Sequence, residues 1–126
     1  MPLTRIVMKR GRSESYRAAV VEQVYQALRD TFDVPENDLF ATVSQHDDGD
    51  FVYGANYLGI ERSDDLIILQ ITVSNTRTVE QKQALYRRLV ERLGDEPGVR
   101  PEDVFVNLVE VTKENWSFGH GEAQYV

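Results

Sequence analysis

Two stretches of this chain, 65 residues apart, carry one pattern, and a chain built from one unit used twice has few ways to fold. Ser13 falls on Thr78, and Val20, Val24 and Leu28 fall on Leu85, Leu89 and Leu93. The same offset sets Asp38, Leu39 and Phe40 on Asp103, Val104 and Phe105, while Pro35-Glu36 and Pro101-Glu102 match after a shift of one residue. The halves run over roughly 1–46 and 65–111, and a tail, 112–126, follows the second.

Each half reads as strand, helix, strand. Leu3 to Lys9 and Leu66 to Val73 are apolar, β-branched runs bounded by Gly11 and by Asp64-Asp65. Ser13 to Phe32 and Thr78 to Leu93 repeat apolar residues at i, i+4 and i+8, the spacing of one buried helical stripe. Thr78 with Gln81 three residues on forms a capping box, which marks the start of the second helix. Leu39 to Val43 and Val104 to Val111 are the closing strands, each after a proline-containing turn. A helical crossover joins parallel strands, so the expectation is an α/β (α+β) β-α-β-β-α-β fold. Its four-stranded sheet carries both helices on one face. The segment from His46 to Asp64 joins the halves with short irregular structure. The uncovered face of so small a sheet calls for identical subunits.

With 126 residues, the chain suits a single domain. A net charge of −7 argues against a nucleic-acid partner, because phosphate binding needs a basic face. The run Lys9, Arg10, Arg12 reads as a solvated strand end. The absence of cysteine removes disulfides, thiolate metal sites and a cysteine nucleophile together. His46 and His120 share no ligand spacing, so no metal and no cofactor are expected. No apolar stretch approaches the roughly 20 residues of a membrane span, and the N-terminus has no signal-peptide core. A cytoplasmic protein without membrane partners is the expectation.

The tail, Trp116-Ser117-Phe118-Gly119-His120-Gly121 and then Tyr125, is aromatic where a frayed end is normally polar. Such aromatics need a surface, either a neighbouring subunit or a ligand pocket at that junction.

The duplicated unit, Pro2, an arginine just before the second helix and the aromatic tail together resemble the tautomerase superfamily, and within it the malonate semialdehyde decarboxylase-like branch. The resemblance covers the whole chain. It implies a homotrimer with an amino-terminal proline in each site, acting on a small carboxylate substrate. By position it makes Pro2 the catalytic amine once Met1 is removed, Asp38 a water-activating or orienting carboxylate, and Arg77 a carboxylate-binding arginine. It makes Trp116, Phe118 and Tyr125 the pocket wall. The chain departs from the pattern at Asn75, a substrate-side position where the decarboxylase branch has a second arginine.

The residues support this chemistry with bland readings beside it. An α-amine ionises near 7.7 to 8.0, and burial or a nearby cation lowers that value, so a terminal Pro2 suits a general base or an iminium former. Equally, proline after an initiator Met needs no function. Arg77 sits where a helix start favours an anion, yet an arginine there can be simply solvated. Asp38 can close a turn, as its counterpart Asp103 suggests. Three functions follow: a keto–enol tautomerase or isomerase, a decarboxylase or hydratase-type lyase, and a non-catalytic trimeric interaction module.

Overall fold

A computed structural model describes residues 1–126. Strand β1 (Leu3–Lys9) leads into helix α1 (Glu14–Phe32) and strand β2 (Ala41–His46); strand β3 (Ile67–Ser74), helix α2 (Val79–Asp95) and strand β4 (Val104–Val111) repeat the order. The sheet runs β2-β1-β3-β4. Each half pairs its own strands in parallel, and the halves meet antiparallel through β1 and β3, with Arg5 opposite Gln70. This is the β-α-β-β-α-β arrangement that the duplication implies.

The matched positions do the same work in both halves. Ser13 and Thr78 are both N-caps, their side chains accepting from the backbone N–H of Tyr16 and Gln81, and Gln81 completes the capping box. Val20, Val24 and Leu28 on α1, and Leu85, Leu89 and Leu93 on α2, are all buried against the inward side chains Ile6, Met8, Leu69 and Ile71. A leucine so placed is worth about 2 to 5 kcal/mol over alanine. The helices are also bridged at their outer edge, where Asp30 Oδ2 accepts from Arg88 Nε at 2.7 Å and from Arg92 Nε at 2.8 Å.

The other face of the sheet has no helix over it. Leu3, Arg5 and Val7 of β1 stand there beside Ile68, Gln70 and Thr72 of β3, then Phe105, Asn107 and Val109 of β4. Phe105 and Val109 are exposed.

The connecting segment holds two short 3₁₀ turns, Asp48–Asp50 and Tyr57–Gly59. Arg62 organises the second by donating from Nη1 to the carbonyls of Gly54, Tyr57 and Ile60.

One expectation is corrected. The second strand begins at Ala41, not Leu39, and runs on to His46. Pairing starts at Thr4↔Ala41, so Asp38, Leu39 and Phe40 stay out of the ladder apart from one bond, Thr4 N–H to the Phe40 carbonyl at 2.9 Å. In the second half the equivalent Val104 and Phe105 are already strand residues. The first half thus gives up two positions of pairing beside the amino terminus.

Candidate active site

Pro2 is buried at the start of β1, between two groups of side chains. On one side lie Asp38, Leu39 and Phe40 with Tyr25 of α1. On the other, a cavity of about 210 Å³ is walled by Met1, Pro2, Leu3, Phe40, Trp116 and Phe118, together with Ser117. Here Met1 precedes Pro2, so the Pro2 nitrogen is a tertiary amide and the free amine belongs to Met1. That amine is held below its ordinary value near 8.0 by burial; Asp38 opposes the shift and Arg77 adds to it.

Asp38 is set by the turn around it. Tyr25 Oη accepts from the Asn37 N–H at 3.0 Å, and the Asp38 N–H closes on the Pro35 carbonyl at 3.2 Å. Asn37 takes a left-handed φ of 69°, which asparagine tolerates better than most residues. The Asp38 carboxylate is left incomplete, because its Oδ1 is buried without a hydrogen-bond partner. Burial raises its pKa, while the amino terminus and Arg77 pull it down. A buried carboxylate oxygen without a partner costs stability.

Arg77, half-buried before the Thr78 cap, reaches back across the fold. Its Nη2 donates to the Phe32 carbonyl at 2.8 Å, Nη1 to the Thr76 hydroxyl at 3.1 Å, and its guanidinium lies 4.9 Å from the Phe32 ring centroid. It thereby caps the carbonyl end of α1. None of these partners neutralises its charge, which acts on both Asp38 and the amino terminus.

The duplicated unit supplies an internal comparison. The counterpart of Asp38, Asp103, is completely buried and fully engaged, accepting from Ser63 N–H at 2.8 Å and Ser63 Oγ at 2.7 Å. The counterpart of Arg77, Arg12, is paired with Asp65. At one end of the sheet the charges are satisfied; at the Pro2 end they are not.

The tail closes the cavity. Trp116 stacks on Phe118 with centroids 5.5 Å apart, and Phe118 meets the edge of Tyr125 at 4.9 Å. Gln124 fastens the loop by accepting from Phe118 N–H at 2.9 Å and donating to the Gly119 carbonyl at 2.8 Å. Gly119 and Gly121, at φ 141° and 69°, permit that tight return. Of the two surfaces open to the tail aromatics, Trp116 and Phe118 line the cavity of their own chain, and Tyr125 backs Phe118 from outside it. Asn75 is exposed after β3, its N–H bonded to the Val111 carbonyl at 2.9 Å, away from the cavity lining. Sequence reasoning missed Phe40, Tyr25 and Ser74. Phe40 left one signal, an aromatic two residues after Asp38, beyond the turn.

A duplicated β-α-β sheet that gathers a buried proline, an incomplete carboxylate, an unneutralised arginine and an aromatic-walled cavity at one end has the build of a small enzyme. The comparisons agree. A family model described as "Tautomerase enzyme" matches residues 38–119. The probable tautomerase YusQ of Bacillus subtilis (strain 168) is 40% identical over 126 residues, covering 100% of this chain and 99% of that protein. YrdN of the same organism, also a probable tautomerase, is 36% identical over 126 residues, covering 100% and 97%. Among solved structures, a malonate semialdehyde decarboxylase described in terms of decarboxylase and hydratase activities superposes with a TM-score of 0.92 at 36% identity, covering 98% and 95% of the two chains. A fused 4-OT described as a symmetric trimer shares the fold at 18% identity, with a TM-score of 0.80 and 98% and 97% coverage. The chain belongs to the tautomerase superfamily, in its malonate semialdehyde decarboxylase-like branch, and is an enzyme.

Proposed function

We propose that the chain, once Met1 is removed, interconverts the keto and enol forms of a small oxo or unsaturated carboxylate. The secondary amine of Pro2 takes the enol O–H proton and returns a proton to carbon, while Arg77 grips the carboxylate. The observation that carries this reading is the place of Pro2, buried in the wall of an aromatic cavity of about 210 Å³; the Met1 amine beside it is held below its ordinary value, chiefly by burial. A base working near neutral pH needs such a depressed amine.

Decarboxylation or hydration of a three-carbon oxo acid is the second reading. It is favoured by the orphaned Oδ1 of Asp38, suited to holding a water or fixing the reactive conformer, and by the likeness to malonate semialdehyde decarboxylase. The exposed apolar side chains of the open sheet face, Phe105 and Val109, support a homotrimer, and the fused 4-OT of the same fold is described as a symmetric trimer. No helix of this chain is long and apolar enough to cross a membrane.

The test is a side-by-side assay on phenylpyruvate enol, 2-hydroxymuconate and malonate semialdehyde, using chain shown by amino-terminal sequencing to begin at Pro2. A chain retaining Met1 has no amine at Pro2 and should be inert. Equal turnover by the Met1-retaining chain would overturn the proline mechanism.

A further inference from the structure

Trp116 is a wall of the Pro2 cavity, yet no strand or helix holds it. It follows β4 by five residues, through a 3₁₀ turn at Lys113–Asn115. Stacking on Phe118 fixes the spacing of the two rings but leaves them free to slide and rotate in plane. A directional bond is needed to stop that motion. One is present: Trp116 Nε1 donates to Ser74 Oγ at 3.1 Å. Ser74 is the last residue of β3, only 4% exposed, and held in register with Val111 of β4. The repeat does not demand a hydroxyl there, since the matched position in the first half is Lys9.

We infer that Ser74 is a positioning residue for substrate binding, its hydroxyl fixing the Trp116 indole as a wall of the Pro2 cavity. The inference rests on that cavity being the substrate site. Ser74 also lies three residues before Arg77, so wall and anion anchor hang from the same strand end. A substrate gripped by Arg77 then meets an indole whose distance from the anchor is set by β3, not by the loose tail.

Trp116 is the only tryptophan in the chain, so its fluorescence reports this contact directly. In the Pro2-terminated protein, Ser74→Ala should shift emission to the red, because the indole N–H loses its buried partner. KM should rise about 3- to 10-fold, the factor of one neutral hydrogen bond, with kcat within about twofold. The dissociation constant for malonate or pyruvate, read by quenching, should rise in step. Ser74→Thr keeps the hydroxyl and should restore both. Trp116→Phe keeps an aromatic wall without the N–H and should reproduce the KM rise, which covers the case of Ser74→Ala failing to fold. Unchanged emission and KM in Ser74→Ala, a loss confined to kcat, no rescue by threonine, or no quenching of the parent protein by either acid would overturn the inference. Full turnover by the Met1-retaining chain would instead sink the proline chemistry while leaving the Ser74 readouts intact.

Discussion

Replacing Asp38 and Asp103 separately by alanine should divide stability from activity between two residues that the repeat makes equivalent. Asp103 is wholly buried and accepts two bonds from Ser63. Hydrogen bonds to a charged group are worth about 1.5 to 3 kcal/mol each, so Asp103→Ala should cost about 3 to 6 kcal/mol and leave the Ser63 N–H unsatisfied. Against a total stability of about 5 to 15 kcal/mol that is a large share. With a urea slope of about 1 to 3 kcal/mol per molar, the unfolding midpoint should fall by roughly 2 M. Asp38 has a buried oxygen with no partner to lose. Asp38→Ala should change stability by less than about 1 kcal/mol, while lowering kcat/KM by about 100-fold or more if the carboxylate handles a proton or water. Urea titration by circular dichroism, with steady-state kinetics on the same preparations, checks both. If Asp38→Ala unfolds as readily as Asp103→Ala, or Asp103→Ala loses activity while still folded, the assignment of a structural and a chemical aspartate fails.

The terminal amine is held below its usual value by burial, with Arg77 adding to the effect and Asp38 opposing it. If the Pro2 amine inherits that setting, kcat/KM should rise with pH through one ionisation below about 8 and then level; a flat profile from pH 5 to 9, with chemistry rate-limiting, would remove Pro2 as the base. Arg77→Ala should lower kcat/KM on an acidic substrate by roughly 10- to 150-fold, mostly in KM, and spare neutral analogues. With asparagine at 75, decarboxylation should be feeble beside tautomerisation, and Asn75→Arg should raise the first relative to the second; efficient decarboxylation by the parent chain would refute that role for residue 75.

The fold was legible because its information is local and repeated. Ser13, Thr78 and Gln81 carry their capping function in residue type and spacing, and the stripes at Val20–Leu28 and Leu85–Leu93 carry their buried faces. The strand after Asp38 was misplaced because its composition suits pairing, whereas its departure from the sheet depends on where the amino terminus packs. Pro2, Asp38 and Arg77 were nameable from position and resemblance. What made their setting distinctive was not legible: the grip of Arg77 on the Phe32 carbonyl and the Ser74–Trp116 bond join residues 45 and 42 positions apart, and the orphaned Oδ1 depends on what fails to arrive. Sequence spacing cannot report a missing partner.

A duplicated unit ought to carry two equivalent sites, and the reason this chain has the parts for one lies in covalent geometry. The counterpart of Pro2 is Ile67, inside the chain and paired with Val104 of β4, so its nitrogen is a backbone amide and no amine can arise there. Without an amine to serve, an exposed Arg12 and an unpartnered Asp103 would carry only the cost of uncompensated charge. The structure removes that cost: Asp65 pairs with Arg12, and Ser63 with Asp103, both drawn from the few residues before β3. At the Pro2 end no such partner reaches Asp38 Oδ1, and Arg77 meets only the Thr76 hydroxyl and the Phe32 carbonyl. The same two positions of the repeat are therefore tied down at one end of the sheet and left uncompensated at the other.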